Sequence, residues 1–288
     1  MNQKLARIAS MTMCTVSICS AVSNAGCYYY SKATEWGETT DCSESPQGRW
    51  EATCQHLQQM SCELFDRIEG PGSCSNHHIF IFDRFAAAHF SAPNAFTITF
   101  PDGVFPQQIG LTEELLNKTA ELAHIADAFF AEHGPELAEL LIENGVSAEV
   151  AAQLITPKKI DPWDLREASL DHEIGHIGLQ HDPSDPGGED KKWLQAREIE
   201  ADLFSLYGMA CRRRPPIAAI QWHLLHTQLF DYDDRDETHP NGLHRVLAMA
   251  PHLKAAEAVQ RGEAPCPLTV KKELRQEGKT TQLPAHRH

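Results

Sequence analysis

Basic residues are scarce: 25 Lys and Arg stand against 40 Asp and Glu, a net charge of −15 with His neutral. A phosphate backbone is bound through clustered Lys and Arg, so this balance argues against a nucleic-acid partner. Long apolar runs are missing too. After residue 25 no stretch reaches the ~20 apolar residues that cross a bilayer as a helix, so no integral membrane span is expected once the leader is gone. No two of the nine cysteines are spaced as CxxC, which counts against a zinc knuckle, and no internal repeat is present. What remains, 42% hydrophobic and 23% charged, is the profile of a soluble globular chain with one main domain and appendages.

The first 25 residues stand apart. Lys4 and Arg7 give a positive start, Ile8 to Val22 is apolar and small, and Ser23-Asn24-Ala25 offers a cleavage site, the pattern of a secretory signal peptide. Ala25-Gly26-Cys27 also resembles the end of a lipobox, with Asn24 where Leu is usual, so a lipid anchor at Cys27 is the alternative. Either way the chain is expected to be exported, periplasmic or secreted. Five of the remaining cysteines, Cys27, Cys42, Cys54, Cys62 and Cys74, crowd into a segment with little hydrophobic periodicity (26–75), and Cys211 and Cys266 follow. Disulfide stapling in an oxidising compartment accounts for them, and acylation of Cys27 would leave six for three bridges.

A domain is expected over 76–262. Ile79-Phe80-Ile81-Phe82 and Ala95 to Phe100 read as strands, with Pro101-Asp102-Gly103 as a turn before Val104-Phe105. Thr112 can cap a helix running to Gly134, Pro135 opens another that ends at Gly145, and a short one spans Ala148–Leu154. Further helices are expected over Asp164–Gln180, Lys191–Met209, Pro215–Phe230 and Leu243–Ala250, with a loop at Asp182–Gly188. Residues 263–288, polar and proline-bearing, read as a flexible tail. The fold class is α+β, mostly α.

His172-Glu173-Ile174-Gly175-His176 carries the chemistry. Residues four apart share a helix face, so His172 and His176 can present two imidazole nitrogens to one metal ion, and Glu173 falls beside them, placed to take a proton from water. Zinc suits this set best, and a catalytic zinc needs a third protein ligand. His181 is one candidate, but the pattern HExxHxxGxxH wants Gly at 179 and His at 182, where this chain has Leu179 and Asp182. Glu198 is the other: Glu198 and Asp202 are four apart on the next helix, so Glu198 can bind the metal while Asp202 orients a ligand histidine. Glu200 points elsewhere and reads as a solvated carboxylate.

HExxH followed by ExxxD resembles the HtpX-like and CAAX-prenyl-protease-like zinc metallopeptidases, which are gluzincins. Asn94-Ala95-Phe96 with Pro101-Asp102-Gly103 is similar to that family's strand and turn before the metal helix, and Thr238-His239-Pro240 with Arg245 is similar to its Thr-His-Pro segment. The resemblance covers about 76–260 and implies one zinc held by His172, His176 and Glu198. It implies Glu173 as the proton carrier, Asp202 and Arg245 as supporting residues, His239 as an oxyanion partner helped by Arg245, and Asn94, Ala95 and Phe96 as substrate-binding residues. The sixty residues between Gly110 and Asp171 are more than the family usually has there, so 112–155 reads as a helical insertion over the cleft.

These residues point to an endopeptidase acting on envelope or extracellular proteins. The strand at 95–100 would offer an open edge to an extended peptide. A zinc-stabilised chaperone or client-binding protein is the alternative, and the presence of Glu173 favours the enzyme. Arg212-Arg213-Arg214 reads as a solvated helix end, Trp163, Trp193 and Trp222 as core, and His77, His78, His286 and His288 are given no role.

Overall fold

The computed structural model describes residues 39–42, 48–82, 95–98, 107–156, 160–181, 190–230 and 239–269. These residues are mostly helical and carry one small sheet, an α+β arrangement dominated by α. The leader, Cys27, Asn94, the Pro101–Gly103 turn, Val104-Phe105, the 182–188 loop and the last nineteen residues lie outside them.

The sheet forms around a run that is apolar on both faces. Its four strands are β1 (Thr39–Asp41), β2 (His77–Phe82), β3 (Ala95–Ile98) and β4 (Gln107–Thr112), in the order β1-β2-β4-β3. Ile79, Phe80, Ile81 and Phe82 are all buried, as in a strand covered on both sides. β2 and β4 run parallel, while β1 and β3 pair antiparallel at the two edges. The sequence hides β4, because Gln107, Gln108 and Gly110 break its apolar pattern, yet Ile109 and Leu111 are buried in the core. Thr112 ends β4 and caps the following helix, its hydroxyl accepting from the Leu115 amide at 3.1 Å.

Helix α1 (Glu51–Glu69) lies in the cysteine-rich segment where little periodicity was expected. Its buried face is Cys54, Leu57, Met60, Ser61, Leu64 and Phe65, a true helical stripe masked by glutamines, acids and two cysteines. Bridges Cys42–Cys54 and Cys62–Cys74 tie this helix to β1 and to the turn before β2. Helix α2 (Glu113–Glu143) is one helix of 31 residues, where a break at Gly134-Pro135 was expected. Proline removes one backbone donor, but buried Phe129, Phe130, Leu137 and Leu141 pack on both sides of it and keep the helix continuous.

After α3 (Ala148–Ile155) come α4 (Pro162–Gly178) and α5 (Lys191–Cys211), which pack against each other at the centre. Asp161 caps α4 by accepting from Trp163 N at 2.9 Å, with Pro162 at the first helical position, and Asp190 caps α5 in the same way. Helices α6 (Ile217–Phe230), α7 (Gly242–Met249) and α8 (Leu253–Gln260) complete the α layer. Bridge Cys211–Cys266 fastens the chain beyond α8 to the end of α5, and Leu268 is buried, so the described residues after 262 pack against the helices.

Two glycines set the approach of α4 to α5. A Cβ on Gly175 would lie 3.1 Å from Phe204 Cβ and 3.2 Å from the Ala201 backbone, and one on Gly208 would lie 2.8 Å from Asp171 Oδ2. Asp171, buried beside Gly208, accepts two bonds from Arg212 at 2.8 and 2.7 Å. Arg212 is therefore an internal counter-ion with a side chain only 3% exposed, not the solvated helix end the sequence suggests. Arg214 pairs with Asp164 and Glu167, and Arg213 alone of the three is exposed. Breaking a buried pair from one side strands the other charge, at about 3–5 kcal/mol. Arg212→Met is expected to lower the unfolding free energy in urea by about that much, whereas Arg213→Met should leave it within about 0.5 kcal/mol. A loss below about 1 kcal/mol for Arg212→Met would show that Asp171 does not depend on it.

Candidate metal centre

One turn of α4 separates His172 from His176, and their Nε2 atoms face each other 3.1 Å apart. From α5, Glu198 reaches both: Oε2 lies 3.2 Å from His172 Nε2 and Oε1 lies 3.4 Å from His176 Nε2. The three side chains form a group able to hold a metal ion, with ligand atoms all within 4.8 Å of one another. Tetrahedral bonds of about 2.0–2.1 Å put neighbouring ligand atoms about 3.3–3.4 Å apart, close to the separations found here. Glu198 Oε2 is also buried without a hydrogen bond, although imidazoles and a guanidinium surround it. Such an orphaned acceptor suits a cation.

A buried carboxylate braces the first histidine. Asp202 Oδ1 stands 2.9 Å from His172 Nδ1, and the same carboxylate takes Arg245 Nε and a terminal nitrogen at 2.7 and 2.6 Å and His223 Nε2 at 3.1 Å. Burial opposes its ionisation, but Arg245, His223 and the bond from His172 hold Asp202 well below the usual carboxylate range. His172 moves the other way: burial opposes its charged form, but the neighbouring carboxylates of Asp202 and Glu198 outweigh it, and its pKa rises to about 10. His176 is held well below its ordinary value, chiefly by burial. Glu198 is kept ionised against its burial by His239, His176 and His172.

Glu173 is buried next to this set. Its Oε2 accepts from Thr97 Oγ1 at 2.7 Å, and the same hydroxyl lies 3.1 Å from the Glu173 carbonyl, so β3 is fastened directly to the carboxyl and its helix. Burial raises the Glu173 pKa, against the lowering pull of His172 and Thr97.

Other expected residues fall around the same point. His239 Nε2 lies 3.5 Å from Glu198 Oε2, at the start of the segment leading into α7, and Arg245 spans Asp202 and the edge of Glu198. Ala95 and Phe96 lie on β3, and Asn94 precedes the described part of that strand. Glu200 is not the solvated carboxylate that its position suggested: its Oε2 is 3.0 Å from His181 Nε2, and His181 Nδ1 is 2.9 Å from His176 Nδ1. Thr97 and His223 were missed as well. The only sequence signal for Thr97 was its alternation with Ala95 on an edge strand, and His223 carries none, sitting among apolar residues of α6.

No family model, curated protein or solved structure matches this chain. The chemistry of the site therefore rests on its own residues. Glu198→Ala is expected to abolish stoichiometric metal retention after dialysis, measured by elemental mass spectrometry. Asp202→Asn should weaken it about 10- to 100-fold in a chelator competition. One full equivalent of tightly held metal in Glu198→Ala would remove Glu198 from the ligand set.

Proposed function

We propose that the chain is a zinc-dependent endopeptidase, a gluzincin of the HtpX-like and CAAX-protease-like kind that the motifs resemble. The observation that carries this reading is the buried Glu173, its pKa raised, directly beside a His172–His176–Glu198 triad. Two imidazoles and one carboxylate at tetrahedral spacing favour zinc over the harder cations, which prefer all-oxygen sites. Bound there, zinc would supply a Lewis acid for the scissile carbonyl and bring the pKa of water to about 7.

The protein's own residues do the rest. Glu173 takes a proton from the attacking water and returns it to the leaving amine, while Thr97 fixes the direction of its carboxyl. His239 stands next to Glu198, where an imidazole N–H can meet the developing oxyanion, a donor of the kind whose loss costs about 2.7–4 kcal/mol in the barrier. Arg245 and Asp202 keep His172 in place. Among the described residues β3 ends the sheet order, and its outer edge can take an extended peptide through main-chain hydrogen bonds. Three disulfides support an oxidising compartment, and hence envelope or extracellular proteins as substrates.

Glu173→Gln tests the reading. The variant is expected to retain one zinc per chain and to cleave an unfolded protein at least about 10²-fold more slowly than the native chain. Thr97→Val should keep the metal and lower kcat several-fold with KM little changed. If the native, zinc-loaded chain cleaves varied unfolded substrates no faster than Glu173→Gln, it is no peptidase, and a metal-stabilised client-binding protein is the reading left standing.

A further inference from the structure

Spacing excludes His181 from the HExxHxxGxxH pattern, yet the structure returns it to the metal helix. Leu179 ends α4, Gln180 adopts a left-handed conformation (φ 58°), the Gln180 amide bonds to the Ile177 carbonyl, and the His181 amide bonds to the His176 carbonyl at 2.9 Å. This is a Schellman cap, which brings the second residue past the helix end back against the third from last. Those two positions ordinarily hold an apolar contact. Here they hold His181 and His176, with Nδ1 atoms 2.9 Å apart.

We infer that Glu200 and His181 are positioning residues that act through His176, fixing which ring nitrogen of this ligand is free to bind metal. The inference rests on the metal-site reading above. A carboxylate only accepts, so the Glu200 oxygen 3.0 Å from His181 Nε2 places the hydrogen of the neutral ring on Nε2. His181 Nδ1 is then an acceptor. The nitrogen facing it, His176 Nδ1, must therefore carry its ring's hydrogen, which leaves the Nε2 lone pair of His176 directed at Glu198 and His172. Without the hold of Glu200, His181 can place its hydrogen on Nδ1, and His176 is driven to the opposite tautomer with Nε2 blocked. His172 is braced by Asp202 directly, and His176 by a carboxylate acting through an intervening imidazole.

The test uses the full chain, loaded with zinc for affinity and with cobalt(II) for its visible absorption. His181→Ala is expected to bind zinc about 10- to 100-fold more weakly in a chelator competition and to shift the cobalt bands. His181→Asn, whose amide oxygen can replace Nδ1 as the acceptor, should recover most of the affinity. Glu200→Ala, altering a partly exposed side chain, should weaken binding in the same direction without lowering the metal-free melting temperature. A structural role alone would move that temperature and leave the cobalt spectrum of the loaded protein as it was. Native-like zinc affinity and an unchanged cobalt spectrum in both His181→Ala and Glu200→Ala would overturn the inference while leaving the metal site intact. Failure of the native chain to take up either metal would overturn the site and the inference together.

Discussion

The contact between α4 and α5 at Gly175 governs the rest of the centre. With Phe204 Cβ and the backbone of Ala201 only 3.1–3.2 Å from where a Cβ on Gly175 would stand, the two helices are as close as a glycine allows, and neither can retreat without opening a gap. That closeness lets a side chain as short as glutamate span both imidazoles from the neighbouring helix. A side chain at 175 would press on Phe204 and the Ala201 backbone at 3.1–3.2 Å, so α5, which carries Glu198, would have to give way. Gly175 is one of the two unspecified positions in the motif, so its necessity here comes from packing rather than from coordination.

Consecutive residues of α4 bind α5 through opposite charges. Asp171 takes the guanidinium of Arg212, and His172 takes the carboxylates of Glu198 and Asp202. Every one of these groups is costly to bury alone, and each is tolerable because its partner is held in place by something else, as Asp202 is by Arg245 and His223. The result fixes both the rotation and the slide of one helix on the other. A core of apolar residues alone would leave more freedom in both.

Legibility followed the range of the interaction. His172 and His176 could be read because residues four apart on a helix meet whatever the fold, with Glu173 falling beside them, and Glu198 with Asp202 for the same reason. Thr112 was readable as a cap because capping is equally local, and its hydroxyl does accept from Leu115. What tertiary packing decides was lost. α1 was hidden because polar residues fill its outer faces; Pro135 suggested a break that flanking packing overrides; Arg212 looked like a helix-end cation until Asp171 was found beneath it. Thr97 and Glu200 act only across the fold, on partners 76 and 19 residues away, and no pattern in a single sequence announces such pairs.

Thr97 gives the edge strand a second meaning. The strand proposed to receive a peptide is bonded to the carboxyl proposed to move the proton, so a guest chain that draws β3 straight also steadies that carboxyl. In such an enzyme, occupancy and competence would be a single event. A loosely engaged chain would leave the base poorly aimed and escape intact, so selectivity could reside in how fully a substrate lies down along the strand.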